Sequence, residues 1–310
     1  MLRFALLMTL ALLSLVPLVD SQAQGVLFIQ LEPGELQQGR TGLLRVMPPR
    51  PIDAAEISYE GRRIPLYPSV DGDWVGFIPA GMNSTRGENR FTVYTYRDGA
   101  EAYPPQTQVF NIVWGSFFYQ DIELPFALSD LLDPDLNARE EATLRSAHRR
   151  ITPEKYWQGN LQPPVVGLLI SEFGGIRNYN GGVYEGRHTG ADYRAGTGEP
   201  AMASGHGRVV FADFLPIRGN HVIIDHGLGV FTGYSHLSEI MVIPGQWVMV
   251  GDMLGTVGTT GRSQGAHMHM ELAVYGVWVD PPQFMSLPIP DMAPAGLPDT
   301  TRPAEEGEYG

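Results

Sequence analysis

The region from residue 25 to residue 114 alternates short apolar and β-branched runs with turn signals. The runs occupy residues 42–46, 73–78 and 90–96, and Pro-Gly and Asp-Gly dipeptides separate such segments. Short strands at regular spacing are typical of a small β-sandwich. The pattern therefore predicts a mainly β chain that begins with an Ig-like β-sandwich over residues 24–115.

Aromatic residues in this region have two interpretations. Trp74, Tyr94 and Tyr96 lie in the predicted strands, where their rings either stack on a carbohydrate or fill the core. Alternating aromatic residues on strands favour the core. No constellation of catalytic or metal-binding residues accompanies them, so we expect this module to position or shield another domain.

The residue pattern changes after residue 115. Residues 135–150 contain helix formers, with acidic side chains in the first half and arginines in the second, which suits the helix dipole. We expect residues 116–165 to form a helical connector that can lie over a cleft of the next domain. Residues 286–310 are rich in proline and acidic residues without apolar periodicity, which predicts a disordered tail.

A histidine pair marks the second β-rich region, over residues 166–285. Successive side chains on a strand point to opposite faces, so His267 and His269 share one face. Met268 and Met270 share the opposite face. The alternation predicts a half-buried strand that packs its apolar face on a core and turns its imidazoles to a surface or cleft.

An imidazole and a carboxylate lie four residues apart in His188-Thr189-Gly190-Ala191-Asp192. The β-branched Thr189 and the interior Gly190 disfavour a helix, so we interpret the stretch as extended chain. On a strand this spacing again places His188 and Asp192 on one face.

These residues have the composition of a zinc site. A catalytic zinc usually has three protein ligands and keeps its fourth position open for water. His188, Asp192 and one member of the pair His267 and His269 supply three ligands. His236 and the other member of the pair are then free for proton transfer, since an imidazole pKa of about 6.5 matches that of a zinc-bound water, about 7.

Three separated motifs occur in a family's order: H-x-G-x-D at residues 188–192, Y-x-H-L at 234–237, and G-x-x-G-x-T-G-x-S-x-G-x-H-x-H at 255–269. Together they resemble the M23 zinc metallopeptidases, the lysostaphin or LytM-type peptidoglycan endopeptidases. The resemblance extends from about residue 163 to residue 282. It implies an antiparallel β-sheet peptidase domain with one zinc ion per chain and peptidoglycan peptides as the substrate.

The resemblance also implies the roles of single residues. It makes His188, Asp192 and His269 the zinc ligands. It makes His236 and His267 the histidines that activate water and steady the tetrahedral intermediate. No member of this set is missing from the chain.

Further residues near the motifs are candidates for supporting roles. The glycine-rich stretch 177–186 precedes the first ligand and is expected to form one wall of the substrate groove, with Tyr179 or Tyr184 as a hydrogen-bond donor to the oxyanion. Glu271 shares a strand face with His269 and is either the partner of that imidazole or a solvated side chain. The remaining histidines are expected to be packed or solvated, and they are His148, His206, His221 and His226.

The first residues predict export. A basic start is followed by an almost wholly apolar run over residues 4–19 and by Ser21-Gln22-Ala23, which together predict a cleavable signal peptide over residues 1–23. The run contains Pro17 and is shorter than the roughly 20 residues that cross a bilayer. We therefore expect a secreted, periplasmic or cell-wall protein without a stable membrane anchor. The chain has no cysteine, so ordinary cores must hold its domains.

Charge narrows the function classes. The formal net charge of −13 argues against a nucleic-acid partner bound through a basic patch.

The sequence as a whole predicts a secreted zinc endopeptidase of peptidoglycan cross-links or stem peptides. The alternatives are a catalytically silent or latent LytM-type activator, with the site blocked by residues 116–165, and a structural metal module. The complete ligand set counts against a silent activator, and the open fourth position counts against a structural module, whereas an intact site blocked by residues 116–165 stays an alternative.

Overall fold

Eight strands build an N-terminal sheet in the computed structural model, which describes residues 25–293. They are β1 (Phe28–Glu32), β2 (Glu35–Gln37), β3 (Thr41–Met47), β4 (Ala54–Tyr59), β5 (Arg62–Pro68), β6 (Trp74–Pro79), β7 (Gly87–Arg97) and β8 (Ala100–Val113). Their hydrogen-bonding order is β1-β3-β6-β5-β4-β7-β8-β2. The mainly β character is confirmed, and the Ig-like topology stays a prediction.

The aromatic residues of this sheet follow the alternation of their strands. Trp74 is buried in the core. Tyr94 lies on the partly exposed face, with the Arg63 guanidinium 3.7 Å from its ring centroid. Tyr96 lies on the same face and donates a hydrogen bond to Glu56 at 2.8 Å. Trp74 is thus a core residue, and the two tyrosines bind polar neighbours of their own sheet.

The connector contains β9 (Tyr119–Ile122), a 3₁₀ helix (Phe126–Leu132) and α1 (Pro134–Ala147). The helix α1 begins at Pro134 because the Asp133 carboxylate accepts a hydrogen bond from the Asp135 amide at 2.8 Å. The predicted helix is therefore present. The rest of the connector is not helical throughout, since β9 is a strand and residues 148–165 are irregular.

The C-terminal region contains further strands and one short helix. They are β10 (Leu169–Ser171), β11 (Ile176–Tyr179), β12 (Tyr184–Arg187), β13 (Gly190–Tyr193), β14 (Pro200–Met202), β15 (Gly207–Leu215), β16 (Gly219–Asp225), β17 (Val230–Ile240), β18 (Trp247–Val248), β19 (Met253–Val257), β20 (Met268–Val274), β21 (Val277–Trp278) and α2 (Pro281–Met285).

These strands form two sheets. The larger has ten strands around the path β10-β13-β20-β17-β16-β15-β18, and all of its pairs are antiparallel. The smaller has the order β12-β11-β9, with β9 parallel to β11. The connector therefore supplies an edge strand to the hairpin that precedes His188.

The central strand β20 is buried on both faces. Met268, Met270 and Leu272 have no exposed surface and belong to the core, as the alternation predicted. His269 and Glu271, on the other face, are also buried. The expectation of a half-buried strand is wrong because the connector and the turn before β16 cover the face that carries the histidine.

The N-terminal and C-terminal sheets share one buried cluster of apolar side chains. At its centre the Phe77 ring lies 5.4 Å from that of Phe284 and 6.4 Å from that of Tyr275. Backbone groups of Thr41 donate to and accept from the Gln283 side chain, at 2.9 Å and 3.0 Å. The helix α2 thus joins the two sheets through apolar and polar contacts.

Residues 286–293 continue from α2 along the N-terminal sheet. Leu287 is buried, the Val70 amide donates to the Asp291 carbonyl at 3.0 Å, and the Ala293 amide donates to the Pro68 carbonyl at 2.9 Å. The expectation of a disordered tail is wrong for residues 286–293, because Leu287 packs into the apolar cluster that the two sheets share. Residues 294–310 and the predicted signal peptide lie outside the described residues.

None of the helices in the part of the chain that the structure describes is long and apolar enough to span a bilayer.

His148 gives the folded chain a pH-dependent stability. Its ring lies 5.0 Å from that of Phe231 and 5.1 Å from that of Trp278, and burial lowers its pKa to about 4. The unfolded chain has the ordinary imidazole pKa of about 6.5, so between these values the unfolded state binds the extra proton. The stabilisation is complete above pH 6.5 and is lost as the pH falls towards 4.

We predict that His148→Phe flattens this pH dependence. Urea unfolding at pH 7 and pH 5 measures the free energy of unfolding. The parent should lose about 2 kcal/mol more than the variant over this range, from protonation of unfolded His148 alone. Equal losses in the two proteins would contradict the assignment.

Candidate metal centre

Cross-strand register assembles the site. Asp192 on β13 lies opposite His269 on β20, and Ser235 on β17 lies opposite His269 from the other side, which brings His236 beside the pair. His188 comes two residues before β13, and its amide donates to the Gly175 carbonyl at 2.8 Å. The motifs that are separated in sequence therefore meet on one side of the ten-stranded sheet.

Three potential ligand atoms form a small triangle. The His188 Nε2 atom lies 2.9 Å from the Asp192 Oδ1 atom and 3.0 Å from the His269 Nδ1 atom. The third side, from His269 Nδ1 to Asp192 Oδ1, is 2.7 Å. All three side chains are buried, so the triangle is preorganised and largely shielded from water.

Backbone carbonyls fix the orientation of the other imidazole nitrogens. A carbonyl oxygen can only accept, so each Nδ1 atom in contact with one carries the proton and leaves Nε2 with a lone pair. The contacts are His188 Nδ1 to Glu172 O at 2.7 Å, His236 Nδ1 to Thr260 O at 2.8 Å, and His267 Nδ1 to Gly265 O at 2.8 Å.

His236 reaches the site through an unusual backbone conformation. Its φ angle is 61°, at a position where the pairing register of β17 shifts. A left-handed conformation at a non-glycine residue costs about 1–2 kcal/mol. The ring centroid lies 5.0 Å from that of His267 and 5.7 Å from that of His269. The strained bulge thus turns this imidazole towards the triangle.

Asp192 is held through both carboxylate oxygens. Its Oδ2 atom accepts a hydrogen bond from Arg177 Nη2 at 2.9 Å, and the same nitrogen donates to Ser171 Oγ at 3.2 Å. The Oδ1 atom faces the histidines, and His267 Nε2 lies 3.6 Å from it. Arg177 therefore sets the orientation of the carboxylate without occupying the oxygen of the triangle.

Glu271 lies beside His269 on the side that faces away from the triangle. Its Oε1 atom lies 3.6 Å from His269 Nε2 and accepts a hydrogen bond from the Thr189 hydroxyl. Arg218 donates to both oxygens of the same carboxylate, at 2.7 Å and 2.6 Å. Glu271 is fully buried, so of its two interpretations the contact with the imidazole is the one that the structure supports.

Electrostatics differ within the cluster. Burial lowers the pKa of His188 to about 4 and, with the neighbouring imidazoles, lowers the pKa of His236. Burial also disfavours the charged form of His269, but Asp192 and Glu271 outweigh it and raise the pKa of that imidazole. Burial would raise the pKa of Asp192, but the imidazoles hold it well below its usual range.

The charge states suit metal binding. His188 and His236 are neutral near pH 7 and offer lone pairs, whereas Asp192 carries a negative charge. The two carboxylates raise the pKa of His269, so a metal ion at the triangle competes with a proton for that imidazole.

The triangle fits a zinc ion. Tetrahedral zinc has ligand bonds of about 2.0–2.2 Å, which keeps neighbouring ligand atoms about 3.3 Å apart. The ligand atoms of the triangle are 2.7–3.0 Å apart, so widening by about 0.3–0.6 Å would admit the ion. Two imidazole nitrogens and one carboxylate oxygen are a known donor set for catalytic zinc. His188, Asp192 and His269 would hold it.

Two cavities open beside the triangle, of about 170 Å³ and 290 Å³. Tyr179 lines both and Tyr184 lines the first. The Arg262 guanidinium lies 4.9 Å from the Tyr179 ring centroid and 5.5 Å from that of Tyr184. The glycine-rich hairpin therefore lines these cavities, while its part in a substrate groove and the oxyanion contact of either tyrosine stay predictions.

The connector lines the same cavities. Asn137 and Glu141 of α1 border the first cavity, and Ile122 and Leu124 border the second. Arg262 donates to the Leu131 carbonyl at 3.2 Å. The connector thus lies over part of the cleft.

Histidines outside the cluster are packed. His148, His221 and His226 are buried, and His206 is partly exposed. None of the four belongs to the group of potential ligands that the described residues form.

The sequence pattern indicated no role for Arg177 or Arg218. An arginine in a glycine-rich loop carries no signal of its own, so only the strand pairing reveals these contacts.

Residues 186–281 match the model of peptidase family M23. The chain is 45% identical over 89 residues to the peptidoglycan DD-endopeptidase ShyA of Vibrio cholerae, which covers 29% of this chain and 21% of that protein. It is 42% identical over 108 residues to the DD-carboxypeptidase/endopeptidase Mpg of Neisseria meningitidis, 35% of this chain and 25% of that protein. The matched part of the chain thus spans at most about a quarter of these relatives' length.

The fold also resembles a crystal structure assigned to peptidase M23 from Pseudomonas aeruginosa. The TM-score is 0.60 and the sequence identity 24%, over 80% of this chain and 93% of that chain. At this identity the similarity concerns the fold, and it includes most of the residues that the structure describes.

We predict that zinc content separates the residues of the triangle from the histidines beside it. His269→Ala and Asp192→Ala should lose stoichiometric zinc, because each removes an atom of the triangle. His236→Ala is the matched control and should keep zinc, since its imidazole lies beside the triangle. Elemental analysis after gel filtration measures the ratio. Equal loss in His236→Ala would contradict this division.

Proposed function

We propose that this chain, whose residues 186–281 form a domain of peptidase family M23, is a zinc-dependent endopeptidase that hydrolyses peptide bonds of bacterial peptidoglycan. The observation that carries the proposal is the buried triangle of His188, Asp192 and His269, with two further imidazoles at its side. Two acid-base groups beside an open metal position are what hydrolysis by an activated water requires.

His236 and His267 would handle the protons. A zinc ion, when bound, supplies Lewis-acid polarisation of the scissile carbonyl and lowers the pKa of water to about 7. His236 is neutral near pH 7 because burial lowers its pKa, so its Nε2 atom accepts a proton. His267 has the same tautomer, and its side chain is 18% exposed, which gives its Nε2 atom access to the cleft. A proton accepted there is available to the leaving amine.

The substrate class rests on the relatives. ShyA is a peptidoglycan DD-endopeptidase and Mpg a DD-carboxypeptidase/endopeptidase, and this chain is 45% identical to the first over 89 residues and 42% identical to the second over 108 residues. We therefore propose cross-links or stem peptides of peptidoglycan as the substrate. This assignment agrees with the predicted signal peptide over residues 1–23 and with a periplasmic, secreted or cell-wall location.

The remaining parts of the chain have supporting roles in this proposal. Residues 24–115 would form an Ig-like module that positions the peptidase domain over residues 166–285. The shared core around Phe77 and Phe284 supports a positioning role. The connector over residues 116–165 would form part of the cleft wall.

We predict that the chain from Gln24 onward releases peptide fragments from purified peptidoglycan. His236→Ala should keep zinc and lower the rate by about 100-fold or more, because a proton-transfer group is lost. Mass spectrometry of the soluble fragments identifies the bond that is cut. A zinc-loaded parent that releases nothing would overturn the proposed activity.

We also predict a role for the Tyr184 hydroxyl as a donor to the oxyanion. Tyr184→Phe should lower kcat by about 100-fold with little change in KM, since such a donor acts mainly in the transition state. Tyr179→Phe is the matched control, because Tyr179 is buried whereas Tyr184 is partly exposed. It should keep a kcat close to that of the parent. The opposite ranking would exchange the two roles.

A further inference from the structure

Glu140 of α1 is a buried carboxylate with three hydrogen bonds. Its side chain is 1% exposed. It accepts from the Ile217 amide at 2.8 Å, from the Arg218 amide at 3.2 Å and from Arg218 Nη1 at 2.9 Å. A connector helix that only covered a cleft would not need a buried charge at this point, since such a charge is costly unless fully paired.

Arg218 connects Glu140 to Glu271, which lies beside the metal centre. Beyond Glu140, its guanidinium donates from Nε and Nη2 to the two oxygens of Glu271, at 2.7 Å and 2.6 Å. Glu271 is the carboxylate whose Oε1 atom lies 3.6 Å from His269 Nε2. A continuous set of charged contacts therefore runs from Glu140 to a proposed metal ligand.

The same turn supports a second histidine of the site. The Arg218 carbonyl accepts a hydrogen bond from the His236 amide at 2.8 Å, at the residue whose φ angle is 61°. A conformation of this kind persists only where its surroundings hold it. By binding the amides of Ile217 and Arg218, Glu140 fixes the turn that holds His236.

We propose that Glu140 is a positioning residue of the metal centre, acting through Arg218 on His269 and His236, and that α1 is a structural part of the site. The inference rests on the proposed zinc site. It implies that the connector cannot be removed as a simple cover without loosening the site beneath it. The carboxylate side chain of Glu140 matters more than its helix position, because the side chain makes all three contacts.

The test compares zinc affinity in full-length variants. Glu140→Gln keeps the shape and one acceptor oxygen but loses the charge that pairs with Arg218. Mutation of a residue that hydrogen-bonds to a metal ligand typically lowers metal affinity by about 10–100-fold. We therefore expect the dissociation constant for zinc to rise by about tenfold or more. Competition with a chromogenic chelator measures this constant without using activity. The cobalt-substituted protein should also change its visible absorption, which reports the geometry at the ion.

Two further variants calibrate the result. Glu88→Gln removes a carboxylate from the exposed ion pair with Arg90 on β7 and should leave zinc affinity unchanged. Glu141→Gln, whose side chain is 33% exposed and has one contact with Arg218 at 3.1 Å, should have a smaller effect in the same direction as Glu140→Gln. If Glu140→Gln does not fold, the milder Glu141→Gln still tests the proposal. Circular dichroism during urea unfolding monitors folding.

The outcomes separate the proposals. Weaker zinc binding and altered cobalt absorption in folded Glu140→Gln, with Glu88→Gln unchanged, would support the positioning role. Unchanged affinity in folded Glu140→Gln, or faster peptidoglycan release at unchanged affinity, would overturn it while leaving the proposed activity intact. A parent that binds no zinc would overturn both.

Discussion

The site depends on the antiparallel register of three neighbouring strands. Asp192, His269 and Ser235 lie opposite one another across β13, β20 and β17. A slip of one residue would turn His269 to the apolar face and Met268 or Met270 to the cleft. The apolar side chains of β20 therefore do more than stabilise the sheet. Their burial makes the wrong register costly, and so it keeps the ligand atoms together.

Sequence alternation could predict this part of the molecule. The spacing of His267 and His269, and of His188 and Asp192, indicated which side chains share a face, and the structure brings them to one place. The family resemblance supplied the division into ligands and acid-base groups. The mainly β fold followed from short apolar runs between turn signals. The inferences on shared faces and on the mainly β fold succeed because they need only a local period, whereas the division into ligands and acid-base groups stays a prediction.

The rest depends on tertiary contacts that no local pattern contains. Burial of both faces of β20 arises from Arg218 and the connector, which are far from that strand in sequence. The left-handed conformation of His236 reflects a bulge set by the pairing of β17. The ordered segment 286–293 follows from Leu287 entering the joint between two sheets. Composition alone indicated disorder there, because proline and acidic residues dominate the stretch.

The joint between the sheets ties the N-terminal sheet to the C-terminal sheet through one shared core. Phe77, Phe284 and Tyr275 occupy a single core, and Gln283 binds the backbone of Thr41. Separation of the two parts would expose this core to water, at a free-energy cost comparable to partial unfolding. These contacts therefore oppose a hinge motion between the two parts. A molecule that approaches the cleft therefore meets a surface whose shape these contacts stabilise.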